Sequence, residues 1–139
     1  MAYVKFFHQA DSRRTAEDRR EAKDTGVTGE QMAARWLTDQ GYTIVDKNCR
    51  YGRNEIDLVA MEGGDMVIVE VKTRSTTEFG LPEEAVDHKK RAILINLANR
   101  YVRDHRWHGN TRFDVVAITL HDGQPDFRLI KNAFNVFSY

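Results

Sequence analysis

A single cysteine, Cys49, stands in the 139 residues of this chain. One thiol cannot close an internal disulfide, and no Cys/His spacing of the zinc-binding kind is present, so the fold must rest on its core. There is also no apolar run near the roughly 18 residues that a membrane span needs. The opening "MAYVKFFHQ", residues 1 to 9, is too short and too weakly apolar for a secretory leader, and no small-residue cleavage site follows it. A reducing, cytoplasmic compartment is the expectation. An excess of either charge is missing too: 21 Lys plus Arg balance 21 Asp plus Glu. That counts against holding nucleic acid by bulk charge, while leaving room for a local basic patch.

Two catalytic devices are lacking. "GVTGE", residues 26 to 30, has neither the lysine nor the spacing of a phosphate-binding P-loop. Cys49 and the serines have no histidine placed by a recognisable motif, so no nucleophile triad is read. His105 and His108 of "HRWH" read as solvated side chains at a helix end.

What is present is a globular composition, 41% hydrophobic and 30% charged, at a length that fits one domain with one core. Residues 1 to 25 form a charged arm, with "DSRRTAEDRREAKD" offering only two alanines to a core. The folded domain is expected over 26 to 139. Thr28 and Gln31 make a capping box for a first helix, and Gly41 supplies its stop. Glu30, Ala33, Ala34 and Leu37 share one face of it at helical spacing. "YTIVDKN" reads as a strand and "CRYGRN" as a turn-rich connection. Residues 55 to 74 read as a hairpin, and Gly80 and Pro82 prepare a second helix from about Asp87 to His105. Its stripe is Leu94, Leu97, Ala98, Tyr101 and Val102. A second hairpin, "RFDVVAITL" and "DFRLI", precedes the end "KNAFNVFSY", whose phenylalanines are expected on the core. The order is α-β-β-β-α-β-β, a mixed α+β domain.

The first hairpin carries the chemistry. With a two- or four-residue turn at Glu62-Gly63-Gly64-Asp65, Asp57 falls opposite Glu70, and Glu55 opposite Lys72. These four share a face with Val59, Met61, Met66 and Ile68, while Ile56, Leu58, Ala60, Val67, Val69 and Val71 take the other. Opposed like charges destabilise a sheet; a proton or Lys72 could compensate them, and a hard divalent cation suits two convergent carboxylates especially well. A magnesium or manganese ion on Asp57 and Glu70, with the Val71 carbonyl as a further ligand, is the reading this supports. Lys72 could then orient an attacking water or balance charge at a phosphoryl group. The competing reading is a plain Glu55–Lys72 ion pair with half-solvated acids, and a three-residue turn would shift the register. Arg50, Arg53, Arg74, Lys89, Lys90 and Arg91 gather around the hairpin. Basic residues at a helix start oppose its dipole, so "HKKRA" suggests a phosphate partner, although a solvated helix start offset by Glu83, Glu84 and Asp87 explains it as well.

"TGVTGEQMAARWLTDQGYTIVDKNCRYGRNEIDLVAMEGGDMVIVEVKTR", with "FGLPEEAV" and "RFDVVAI", resembles the bacterial YraN-like family over about residues 26 to 135. That family is placed among the PD-(D/E)XK endonucleases, and the resemblance implies a restriction-endonuclease-like mixed sheet flanked by helices and metal-dependent phosphodiester hydrolysis. By resemblance, Asp57 and Glu70 are the metal-binding acids, Lys72 the catalytic lysine and Glu30 the extra acid from the first helix. Gln31 neighbours that acid, and Glu55 matches the acid of a "GEID" stretch in which Asn54 replaces the usual glycine. Asparagine tolerates left-handed backbone, so the turn is expected to survive. The implied substrate is DNA rather than RNA, branched or structured DNA included, and dimers are common among resolvase-like relatives, so a homodimer is allowed. Two alternatives stay open: a nucleic-acid-binding or scaffold module that keeps the fold without cutting, and a hydrolase of a small phosphorylated substrate.

Overall fold

The computed structural model describes residues 27–75 and 86–135. The charged arm, the Gly80 and Pro82 stretch and the last four residues lie outside them. Helix α1, Gly29–Asp39, starts at the expected cap: Thr28 Oγ1 accepts the Gln31 N–H at 3.2 Å, and Gln31 Oε1 accepts the Thr28 N–H at 2.8 Å. Past its end Gly41 takes a positive φ of 97°, a conformation glycine adopts without strain. Five strands follow in chain order: β1 Thr43–Tyr51, β2 Asn54–Glu62, β3 Asp65–Arg74, β4 Thr111–His121 and β5 Gln124–Phe134. Helix α2, His88–Asp104, joins β3 to β4. The element order is the one read from the sequence.

The sheet order is β1-β2-β3-β4-β5, antiparallel except between β3 and β4. Two parallel neighbours need a long crossover, and α2 is that crossover. On one face Ala33, Ala34 and Leu37 of α1 pack against Leu58, Ala60, Val67, Val69, Val71, Val116 and Ile118. On the other, Leu94, Ile95, Leu97, Ala98 and Tyr101 of α2 pack against Ile56, Val59, Met66, Ile68, Phe113 and Val115. Ile95 thus joins the expected α2 stripe, and Val102 lies only partly buried at its margin. Among the described residues no helix is long and apolar enough to cross a membrane.

Three sequence expectations are corrected here. β1 runs on through Cys49 to Tyr51, and the connection to β2 shrinks to Gly52 and Arg53. Pairing with β2 (Cys49↔Ile56, Arg50↔Glu55, Tyr51↔Asn54) overrides the local turn signals. The positive φ of that turn falls at Gly52 (64°), while Asn54 sits in the ladder and needs no left-handed backbone. β5 takes in residues 131–134, the first part of the segment read as a tail, and ends at buried Phe134, whose ring stacks on Phe113 at 4.8 Å.

The sheet forks. Gly63 and Gly64, both at positive φ, turn β2 into β3 in the expected register, from Glu62↔Asp65 to Leu58↔Val69. There the ladder ends. β2 continues beside β1 to Asn54, and β3 continues beside β4 to Arg74. At the far end of the same strands Arg112 ties the layers together. It donates to Glu62 at 2.6 Å, Asp65 at 2.9 Å, Asp114 at 3.1 Å and the Tyr42 hydroxyl at 3.1 Å.

Candidate functional site

Asp57 lies one residue beyond the last β2–β3 rung, where the two strands part company. Its carboxylate replaces the missing ladder bond, Oδ2 accepting the Val71 N–H at 2.8 Å. The side alternation of β2 slips at the same place. Ile56 packs with Val59 on the α2 side, whereas Leu58 packs on the α1 side, so Ile56 is not on the face assigned to it from the sequence. Across the β1–β2 ladder the slip faces buried Asn48, whose φ of 49° lies in the left-handed region. Asp57 and Glu70 therefore do not form the directly opposed rung the register implied. They meet around the backbone of Val71 instead. In a strand the N–H and C=O of one residue point to the same neighbour, so the Val71 carbonyl faces the fork as well.

Glu70, Lys72, Asp57 and Glu30 are all buried. Glu70 Oε1 lies 3.3 Å from Lys72 Nζ and 3.8 Å from Lys90 Nζ. Glu30 begins the buried stripe of α1, and its charge reaches Asp57. Burial, then the charges of Glu70 and Glu30, push the Asp57 carboxyl well above the usual carboxylate range, against the pull of the Val71 N–H and Lys90. The second oxygen, Asp57 Oδ1, is buried with no hydrogen-bond partner among the described residues. A buried acceptor left in that state costs free energy unless a proton or cation answers it.

The remaining expected residues separate into groups. Glu55 pairs with Arg50 (3.4 Å) rather than with Lys72, so the ion pair weighed as the alternative to a cation site is not formed. Gln31 is engaged in the α1 cap. Arg50, Arg53 and Lys89 are exposed, and Arg74 is partly buried at the end of β3. Arg91 donates to the Val86 carbonyl at 2.9 Å and lies over the Phe134 ring, so part of its guanidinium is engaged within the protein. Lys90, expected only as a phosphate contact, is in the acid cluster itself. The spacing 90, 94, 97, 101 puts it in line with the buried α2 stripe, but 91, 94, 98, 101 does the same for Arg91, so spacing alone does not single it out.

Could these residues hold a divalent cation? Among the described residues no group of three or more His, Cys, Asp and Glu side chains is arranged to do so. Magnesium, however, commonly binds through one or two carboxylates and completes its shell with water and substrate phosphate. Asp57 with its unanswered oxygen, Glu70 and the Val71 carbonyl offer oxygen donors of that kind, so the residues fit such an ion.

A family model described as "Uncharacterised protein family UPF0102" matches residues 29–118. All of the clustered side chains fall within that span. A UPF0102 protein of Dehalococcoides mccartyi is 41% identical over 112 residues, covering 80% of this chain and 93% of that protein. One from Solibacter usitatus is 45% identical over 120 residues, 84% of this chain and 89% of its own. Another, from Cytophaga hutchinsonii, is 46% identical over 94 residues, 68% and 83% of the two chains.

Proposed function

The chain belongs to uncharacterised protein family UPF0102, the YraN-like family, and we propose that it is a metal-dependent nuclease with a restriction-endonuclease-like fold. Its substrate class is DNA, structured or branched DNA included. The observation that carries the reading is the Asp57 carboxyl at the fork, raised by its burial and then by Glu70 and Glu30, with one oxygen unanswered among the described residues.

In this reading Asp57, Glu70 and the Val71 carbonyl hold magnesium or manganese. The ion supplies positive charge to a phosphoryl oxygen and makes the attacking water more acidic. Lys72, held by Glu70 at 3.3 Å, orients that water and balances charge as the phosphorus is attacked. Glu30 adds negative potential at Asp57, which attracts a cation as it does a proton, and a dication carries twice the charge to answer it. Exposed Arg50, Arg53 and Lys89, with Arg74, position the phosphate backbone and carry no sequence information.

A second reading, a nucleic-acid-binding module that does not cut, is favoured by one observation: Lys72 and Lys90 already offset the charge of Glu70 within the protein. Cleavage of linear, flapped and four-way DNA in magnesium and in manganese separates the two. Wild type is expected to cut, with Asp57→Ala and Glu70→Ala folded and inactive. Salt-sensitive DNA binding that persists in both variants, with no cleavage by wild type in either metal, would replace the nuclease reading by the module.

A further inference from the structure

We propose that Lys90 is a positioning residue of the cation site: its ammonium shares with Lys72 the charge on Glu70 while the metal is absent, then moves to a substrate phosphate when the metal arrives. The inference rests on the nuclease reading above and deepens it.

Glu70 Oε1 is approached by two ammonium groups, Lys72 Nζ at 3.3 Å and Lys90 Nζ at 3.8 Å. The two lysines differ in how they are held. The side chain of Lys72 is 4% exposed, on β3 beside its acid, whereas that of Lys90 is 23% exposed at the start of α2. The first turn of α2 is fixed from below. Asp87 caps it by accepting the Lys90 N–H at 2.9 Å, and Arg91 is anchored on the Val86 carbonyl. The backbone of Lys90 therefore stays in place while its long stem can swing.

A dication and two ammonium groups on one carboxylate oxygen repel one another. When the dication binds, the group with the longer contact and the route to water is the one that leaves. A released ammonium at a helix start has no favourable interaction with the helix dipole, and a phosphate oxygen is the partner it then takes. Lys90 thus stands in for the metal before binding and contacts substrate afterwards. Exposed Lys89 can only contribute to backbone attraction.

The test compares wild type, Lys90→Met and Lys90→Arg by calorimetric titration with Mn²⁺, together with binding of a phosphorothioate DNA that resists cleavage. Lys90→Met keeps the apolar stem and removes the charge. It is expected to bind Mn²⁺ roughly tenfold more tightly, the order of effect that one nearby charge has on the affinity of a carboxylate for a proton. It should also bind the DNA more weakly, with Lys90→Arg near wild type in both. Unchanged or weaker Mn²⁺ binding by Lys90→Met, with a wild-type melting profile, overturns the role of Lys90 and leaves the nuclease reading standing. Absence of Mn²⁺ binding and of DNA cleavage in wild type overturns that reading, and the Lys90 role with it.

Discussion

Asp57 combines full burial, two acidic neighbours and an oxygen with no hydrogen-bond partner among the described residues, and its titration should be visible in the stability of the metal-free protein. Its folded pKa is raised. Between the unfolded carboxylate value, about 4, and that raised value, the native state holds a proton the unfolded chain has released. Stability from this group is fully present below the unfolded value and is lost as pH rises through the folded one. Melting temperature against pH should therefore fall over that interval, and Asp57→Asn should flatten the fall. An identical slope in the variant would mean that other groups set it. Thr73 offers a second residue-scale check. The valines at 67, 69 and 71 share its face of β3, and the Thr73 hydroxyl is buried with no hydrogen-bond partner among the described residues. Thr73→Val should stabilise the protein by about 1 kcal/mol, measured by denaturant titration, since it removes an unanswered donor without changing shape. A drop in stability would show that the hydroxyl has a partner. The acids of this site were legible in the sequence because Glu62-Gly63-Gly64-Asp65 fixes the hairpin register. The slip at Asp57 was not, because side chains ordinarily alternate along a strand and the left-handed Asn48 gives only a faint local signal.

Each helix presents its N-terminal turn to the fork, and each buried stripe opens with a charge: Glu30 on α1, Lys90 on α2. The α1 stripe and its capping box could be read directly from spacing. Lys90 could not be separated from Lys89 and Arg91 until the rotation of α2 was known, since three adjacent basic residues look alike in sequence. At the opposite end of the sheet the elements depend on Arg112, whose partners lie on β2, β3 and β4 and at Tyr42 before β1. Its bonds hold Glu62 below the usual carboxylate range, chiefly through Arg112 itself, and keep the fully buried Asp114 compensated. Arg112→Ala should cost roughly 3–5 kcal/mol by chemical denaturation, the scale of stranding a buried charge. A cost below about 1 kcal/mol, the range of an exposed ion pair, would contradict that role. Partners some 50 to 70 residues apart leave no local pattern, which is why the network could not be seen in the chain.

For the whole molecule, a net charge of zero means that contact with nucleic acid must come from where the basic groups sit. Arg50 and Arg53 lie at the β1–β2 turn, on the side of the sheet where β2 and β3 fork, and Lys89 lies at the start of α2. Replacing both arginines by alanine should weaken DNA binding evenly across sequences and reduce the slope of log affinity against log salt by about 0.9 for each phosphate that is no longer neutralised. An unchanged slope would move the interface elsewhere. The overall order of helices and strands followed from turn and cap chemistry, whereas the fork depends on long-range pairing of two ladders with different neighbours. That fork is where the cation is expected. The most direct test is calorimetric titration of Mn²⁺ at neutral pH into wild type and the Asp57→Asn, Glu70→Gln double variant, each with uncleavable phosphorothioate DNA present, in two buffers of different ionisation enthalpy. Wild type should bind, releasing protons wherever the pH lies below the raised Asp57 value, and the double variant should not bind. Equal binding by both proteins, or none by wild type with the DNA in place, would contradict a cation site on these acids.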